Sequence, residues 1–182
     1  IDDGKILLDA EDISTVPPAR RIGYGISRTF QNIRLMPHLS TIENVMLGEH
    51  WRRPVFARAR GRRAVESAKS ALADAGLQTF PGQIVANLPY GIQKRIEVVR
   101  ALLAGPKILM LDEPAAGLNN AESDELRALL ERVSARGVTL LVVEHDMHFV
   151  RRLCDHVGVL NFGQLIFEGT PEQVHRDPAV LE

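Results

Sequence analysis

The spacing of hydrophobic and polar positions changes twice along the 182 residues. Residues 1–30 are predicted to form short extended pieces between loops, because KILLDAEDI alternates only in part and Pro17–Pro18 interrupts the segment after it. Residues 41–104 instead repeat apolar side chains three or four positions apart, which is typical of helices. From Lys107 onward, short apolar runs alternate with helical segments. The pattern therefore predicts an α/β chain with a helical stretch in its middle.

The helical stretch divides into three predicted helices. Thr41 is expected to cap the first one. The second ends before Gly76, a residue type suited to the position after a helix end, and the third ends before Gly105–Pro106. The predicted apolar faces of the second and third helices comprise Val65, Ala68, Leu72 and Ala75, and Ile92, Ile96, Val99 and Leu103.

The last third of the chain follows a strand, helix, strand order. The runs KILML and VTLLVV are almost continuously apolar, as expected for parallel strands buried on both faces. The helix between them is predicted to begin near Asn119 or Asn120 and to end at Gly137. A short helix and two more strands complete the pattern. We expect a mainly parallel sheet with crossover helices, whose functional residues lie at the carboxyl ends of the strands.

Composition narrows the choice of partners. The chain has 22 basic and 23 acidic residues and a net charge of −1, which argues against nucleic acid as its main partner. No apolar run approaches the roughly 18 residues of a membrane span, and we expect no export signal. One cysteine cannot form a disulfide within the chain. The sequence thus predicts a soluble chain of one domain.

Polar side chains lie just after both predicted parallel strands. Asp112 and Glu113 come directly after KILML, and Glu144, His145 and Asp146 end the next strand. A metal-bound phosphate ester is the ligand that best uses such a set, because one carboxylate can hold Mg²⁺ while another orients water. Any one of these residues could instead have a purely structural role, as a turn cap or a packed histidine.

A glycine at a predicted helix start lies upstream of the acidic strand, in LPYGIQKRIEVVRAL (88–102). Backbone amides at a helix N-terminus can receive an anion. This feature is weak by itself, since many helices begin with proline and glycine. Its position before the acidic strand makes it more specific.

Five segments together resemble motifs of the ATP-binding subunits of ABC transporters, and most closely those of branched-chain amino acid importers. They are RTFQN (28–32), similar to the Q-loop; LPYGIQKR (88–95), similar to the signature; ILMLDEP (108–114), similar to Walker B; AAGLN (115–119), similar to the D-loop; and VVEHD (142–146), similar to the H-loop. They occur in the family's order and cover almost the whole chain. An ABC ATPase of DNA repair or translation is disfavoured, because no long insertion interrupts them.

The resemblance implies a P-loop NTPase core with a mainly parallel sheet and a helical subdomain. Residues 1–182 would form one ABC ATPase domain, with the α/β core in 1–37 and 105–182 and the helical subdomain, including the signature, in 38–104. The cofactors implied are ATP and Mg²⁺.

The resemblance also assigns roles to particular residues. Asp112 and Gln31 would hold Mg²⁺, Glu113 would be the general base, and His145 would steady the γ-phosphate and the attacking water. Gln31 would also link the site to the membrane partner. Residues of the signature and D-loop would contact ATP held by a second subunit: Leu88, Pro89, Tyr90, Gly91, Gly117, Leu118 and Asn119.

The implied assembly is a head-to-tail dimer of ATP-binding subunits on transmembrane permease subunits. It would lie at the cytoplasmic face of the plasma (inner) membrane, and its membrane contact would be indirect, through the permease.

Two features depart from the family pattern. No GxxxxGK[ST] occurs in the sequence, so we expect the first strands and the P-loop to be lacking, an apolar sheet edge to be left beside KILML, and ATP binding within the chain to be weak. Ile92 occupies the signature position where glutamine is usual, which is expected to weaken the contact with the second subunit.

Two functions remain open from the sequence. The chain is either an ATP-hydrolysing subunit of a branched-chain amino acid importer or a noncatalytic fragment that docks on the membrane subunit or donates its signature to a partner ATPase. A basic stretch is likewise either a solvated loop or a contact for anionic lipid or the membrane subunit. It comprises Arg52, Arg53, Arg58, Arg60, Arg62 and Arg63.

Overall fold

A computed structural model describes residues 4–52, 61–174, 177 and 180. Residues 53–60, which include three of the six arginines of the basic stretch, lie outside the described residues, so the role of this stretch stays a hypothesis. The strands are β1 (Leu7–Leu8), β2 (Glu11–Asp12), β3 (Ile26–Arg28), β4 (Ile108–Asp112), β5 (Thr139–Val143), β6 (Val157–Asn161) and β7 (Gln164–Gly169). The α-helices are α1 (Thr41–Met46), α2 (Gly61–Asp74), α3 (Tyr90–Leu103), α4 (Asn120–Ala135), α5 (Met147–Leu153) and α6 (Pro171–Val174).

A parallel sheet in the order β3-β4-β5 forms the centre of the fold. Ile108 lies opposite Ile26 on one side and opposite Thr139 on the other. The expectation of an unpaired edge beside KILML is therefore wrong, because this run is the central strand. Its neighbour β3 has only three residues. A segment this short does not show the periodic pattern from which a strand is predicted.

Strand β5 is buried on one face only. Leu140 and Val142 pack against the core, whereas Leu141 and Val143 are 50% and 60% exposed. The prediction that VTLLVV is buried on both faces is wrong. Among the described residues, β5 has β4 as its sole strand neighbour, so its other edge and one face remain uncovered.

The helix boundaries agree with the predicted capping and terminating residues, with one exception. Ser40, not Thr41, caps α1: its hydroxyl accepts from the Glu43 amide, and the Glu43 side chain accepts from the Ser40 amide. Thr41 is instead the first helical residue, and its amide donates to the Gln83 carbonyl at 2.8 Å. Gly76 and Gly137 have left-handed φ angles of 72° and 88° just beyond α2 and α4, as predicted.

One apolar core connects the helices with the sheet. Leu72 of α2, Ile96 of α3, Leu109 of β4, Leu130 of α4 and Phe149 of α5 are all buried in the same cluster. Burying a large apolar side chain contributes about 1.5–3 kcal/mol, so α3 and α4 are firmly held against β4. In the part of the chain that the structure describes, no helix has the length and apolar character needed to cross a bilayer.

Candidate functional site

Gln31 and Glu113 meet at the carboxyl end of β4. Gln31 Nε2 donates to Glu113 Oε2 at 2.8 Å, although the two residues are 82 positions apart. The Glu113 amide donates to the carbonyl of Val143 at 2.9 Å, which ties this position to β5. Glu113 has a φ of 43°, a conformation that costs a non-glycine residue of order 1–3 kcal/mol. The fold thus holds a strained carboxylate residue at the ligand edge of the sheet.

Asp112 is paired with a cation that the sequence reasoning did not include. Arg28 Nη2 lies 2.7 Å from Asp112 Oδ2, and the Arg28 guanidinium lies 5.3 Å from the centre of the Phe30 ring. Asp112 ends β4 and Arg28 ends β3, so the parallel pairing of these strands brings the two together. The position of Arg28 at the start of RTFQN was the available signal.

His145 comes after β5 at the same edge of the sheet. Its side chain is 78% exposed, and its Nδ1 lies 3.8 Å from Glu144 Oε2. Glu144 is the opposite case, with a side chain only 1% exposed. Its carboxylate accepts from the amides of Ala115 at 2.8 Å and His145 at 3.0 Å. Glu144 therefore joins the turn after β4 to the segment after β5, a role its position at a strand end did not reveal.

The signature and D-loop segments contact each other within this chain. Gly91 is buried at the start of α3, and a Cβ at this position would lie 2.7 Å from the carboxyl carbon of Glu122. A Cβ at Gly117, whose φ is 77°, would lie 3.3 Å from the ring of Tyr90. A side chain at position 91 would therefore have to displace the Glu122 carboxyl group, whereas Gly117 is required mainly by its backbone conformation.

The remaining predicted residues surround this contact. Leu88 is buried and Pro89 is the N-cap of α3, without a side-chain cap. Leu118 is partly buried against the core, and Asn119 caps α4 by accepting from the Glu122 amide at 3.0 Å. Ile92 also packs partly against the core, so an apolar side chain is compatible with this position.

Three charged residues of α3 lie beneath the site and were missed. Lys94 is 3% exposed and Glu97 is 2% exposed, and Arg100 Nη2 lies 3.5 Å from Glu97 Oε1. Burial lowers the pKa of Lys94 and raises the pKa of Glu97 relative to their usual values, although neighbouring opposite charges counteract both shifts. Their spacing of three residues on an otherwise apolar helix face was the signal that could have identified them.

The Asp112 carboxylate is the candidate ligand for a Mg²⁺ ion at this edge of the sheet. Among the described residues, no three or more His, Cys, Asp or Glu side chains cluster into a ready metal site. Mg²⁺ usually keeps several waters and needs only one or two carboxylates besides substrate phosphates. Asp112, partly exposed at the sheet edge, fits that requirement, but Arg28 competes for the same carboxylate oxygen.

The central strand of the parallel sheet ends in a carboxylate pair, at the edge where α/β sheets of this kind bind their ligands. Residues 1–116 match a family model described as ABC transporter. The chain is 39% identical to the high-affinity branched-chain amino acid transport ATP-binding protein BraF of Pseudomonas aeruginosa, over 98% of this chain and 74% of that protein.

Two further relatives agree. LivG of Escherichia coli K12, a protein with the same description as BraF, is 36% identical over 98% of this chain and 74% of its own length. A solved ATP-binding cassette of an ABC transporter superposes with a TM-score of 0.87 at 28% identity, covering 99% of this chain and 76% of that one. The chain therefore belongs to the ABC transporter family. Its fold is that of the family's P-loop NTPase core, and it is an ATPase of this family.

Proposed function

We propose that the chain is the ATP-hydrolysing subunit of an importer for branched-chain amino acids. The observation that carries the catalytic half of this proposal is the hydrogen bond between Gln31 and Glu113 at the end of β4. The solute class is supported by the similarity to BraF and LivG, which are named for branched-chain amino acid transport. The reaction is in-line attack of water on the γ-phosphorus of ATP.

Glu113 acts as the general base in this proposal. General-base catalysis contributes typically about 10²–10⁴-fold to a rate, and Gln31 keeps the carboxylate oriented in the site. His145, exposed at the end of β5, steadies the γ-phosphate and the water. Asp112, together with Gln31, would hold Mg²⁺, which when bound neutralises phosphate charge.

The signature and D-loop residues act on a second subunit. In the proposed head-to-tail dimer, Gly91 and the amides at the start of α3 contact ATP bound by the partner, and Asn119 contributes from the D-loop. The assembly binds transmembrane permease subunits and stays peripheral, on the cytoplasmic face of the plasma membrane. The weaker partner contact that is expected from Ile92 belongs to this proposal.

The test reconstitutes the chain in proteoliposomes with permease subunits and the second ATP-binding subunit. ATP hydrolysis and ATP-dependent leucine uptake are measured with the unmodified chain and with Glu113→Gln. We expect hydrolysis at this chain's site to fall at least about 100-fold, because the amide cannot accept the proton from water. Glu66→Gln, which alters an exposed carboxylate on α2 that is 66% exposed, serves as the control.

The second candidate is the noncatalytic role of donating the signature to a partner ATPase or docking on the membrane subunit. It is favoured by the pairing of Asp112 with Arg28, which occupies the carboxylate oxygen that Mg²⁺ would need. In that case, leucine uptake would require the chain but would be unchanged by Glu113→Gln. This result would reject the catalytic proposal. If the complex took up neither leucine nor isoleucine nor valine, the proposed solute class would be rejected.

A further inference from the structure

The ammonium group of Lys94 connects α3, whose first turn carries Gly91, with Gln31 and Glu113, the two residues of the proposed hydrolytic pair. Lys94 lies one turn into α3 and is 3% exposed. Its Nζ donates to the carbonyl oxygen of Gln31 at 2.9 Å and lies 3.5 Å from the carbonyl oxygen of Glu113. The Nζ also lies 5.9 Å from the centre of the Tyr90 ring. One buried cation therefore contacts all three segments.

A lysine in this position is costly unless its charge is compensated. Four carboxylates interact with it: those of Glu97, Glu144, Glu113 and Asp112. Hydrogen bonds from a charged donor are stronger than neutral ones, and the two carbonyl oxygens receive them here from an ammonium group on an almost fully buried side chain. The ammonium thus acts as a fixed bridge between two backbone segments.

The same helix holds the Gln31 segment at a second place. Glu97 Oε1 accepts from the Arg34 amide at 2.8 Å, and Arg100 Nη1 donates to the Arg34 carbonyl at 2.6 Å. Residues 31 to 34 are therefore attached to α3 at both ends. Lys94 alone among these α3 side chains also reaches the Glu113 backbone, so it is the link that relates the helix to both members of the pair.

We propose that Lys94 is a positioning residue that couples the N-terminal turn of α3 to the relative placement of Gln31 and Glu113. A displacement of the turn that carries Gly91 moves the ammonium, and with it the two carbonyl groups. The side-chain bond of 2.8 Å between Gln31 and Glu113 then strengthens or weakens. The coupling role rests on the proposed function, whereas the physical link can be tested without ATP.

The first experiment measures amide hydrogen exchange by NMR in the isolated chain and in the Lys94→Met, Lys94→Arg and Lys69→Met variants. We expect Lys94→Met to accelerate exchange at Arg34, Glu113 and Ala116 at least about tenfold, which corresponds to roughly 1.4 kcal/mol of local stability. Exchange at Leu130, in the middle of α4, should change less than about threefold. Lys94→Arg should restore part of the protection, and the exposed control Lys69→Met should change none of it.

Uniform acceleration that includes Leu130 would show that Lys94 only stabilises the fold, and unchanged exchange at Arg34 and Glu113 would show that the link is absent. Either result overturns the proposal.

The second experiment tests the coupling in the reconstituted complex. Lys94→Met should lower kcat at least about tenfold and change KM for ATP less than about twofold, because the residue places catalytic groups and does not bind nucleotide. Lys94→Arg should recover part of kcat. Local loosening with an unchanged kcat would overturn the coupling. If the unmodified complex hydrolyses no ATP, the proposed function fails and the coupling role with it, while the exchange experiment still decides whether the physical link exists.

Discussion

Gly91 lies where the structure leaves no room for a side chain. The carboxyl group of Glu122 occupies the space that a side chain at position 91 would need. Glu122 cannot move away freely, because its Oε2 accepts from the Asn119 amide at 3.1 Å in the cap of α4. The start of α3 and the start of α4 are therefore adjusted to each other through one glycine.

Gly91→Ala should make the chain less stable than the matched variant Gly61→Ala by about 1 kcal/mol. Both substitutions raise helix propensity, but only the one at position 91 must displace Glu122 and break its capping interaction. A Cβ at Gly61 meets no atom within 4 Å. Urea unfolding followed by circular dichroism measures the difference, and equal stabilities would show that Glu122 relaxes without cost.

At the residue scale, the sequence predicted which residue types lie at the site better than it predicted which residues contact each other. Asp112, Glu113 and His145 were placed at strand ends from the polarity pattern, and the structure brings them to one edge of the sheet. Arg28 and Lys94 could not be placed in the same way. Their partners are 84 positions away in one case and 63 in the other, and such distances leave no periodic signal.

Helix α3 is the element that joins the two halves of the site. One of its faces enters the core through Ile96 and Val99, while Lys94 and Glu97 are buried towards the segment that carries Gln31. The apolar periodicity predicted the first face correctly. The buried charges contradict the simple pattern, since such residues are seldom fully buried unless they are paired.

The Glu97 carboxyl should make stability fall as pH rises. Burial raises its folded-state pKa above the usual value of 4.5, although the Arg34 amide and Arg100 oppose the shift. Between the unfolded and folded pKa values, the folded chain binds more protons, so the stabilising contribution is full below about pH 4.5 and is lost as pH rises through the folded pKa. The loss is about 1.4 kcal/mol for each pH unit that separates the two values.

Comparison with Glu97→Gln isolates most of this contribution, because the titrating groups that do not interact with Glu97 cancel. The free energy of unfolding of the original chain minus that of the variant should decrease between pH 4 and pH 8. Urea titrations at several pH values measure it. A difference that stays constant, or increases, would mean that the hydrogen bond from Arg34 outweighs burial.

At the scale of the whole molecule, a single core holds the helical segment and the parallel sheet together. Cluster residues come from α2, α3, α4, α5 and β4. One apolar face of β5 is not covered by this core, because Leu141 and Val143 on it are exposed. The site is therefore backed by buried core residues on its α3 and α4 side and is less supported beside β5.

Nucleotide alone should stabilise this 182-residue chain very little. Asp112 and His145 offer few contacts to a triphosphate, and the sequence has no glycine-rich loop ending in Gly-Lys-Ser/Thr. We expect about 5 mM ATP–Mg²⁺ to add less than about 0.3 kcal/mol, as for a dissociation constant above ~10 mM. Thermal unfolding with and without ATP–Mg²⁺ measures the effect. A clear shift at low-micromolar ATP would contradict the prediction.

The sequence by itself determined the order of the main strands and helices, the apolar faces of α2 and α3, and the acidic and imidazole residues at the strand ends. These features depend on neighbours a few positions apart, and local spacing records them. Only the tertiary structure decided that KILML is the central strand, that Arg28 pairs with Asp112, and that Lys94 reaches Gln31 and Glu113. Those contacts join segments distant in the chain, and the close packing of the whole fold selects them.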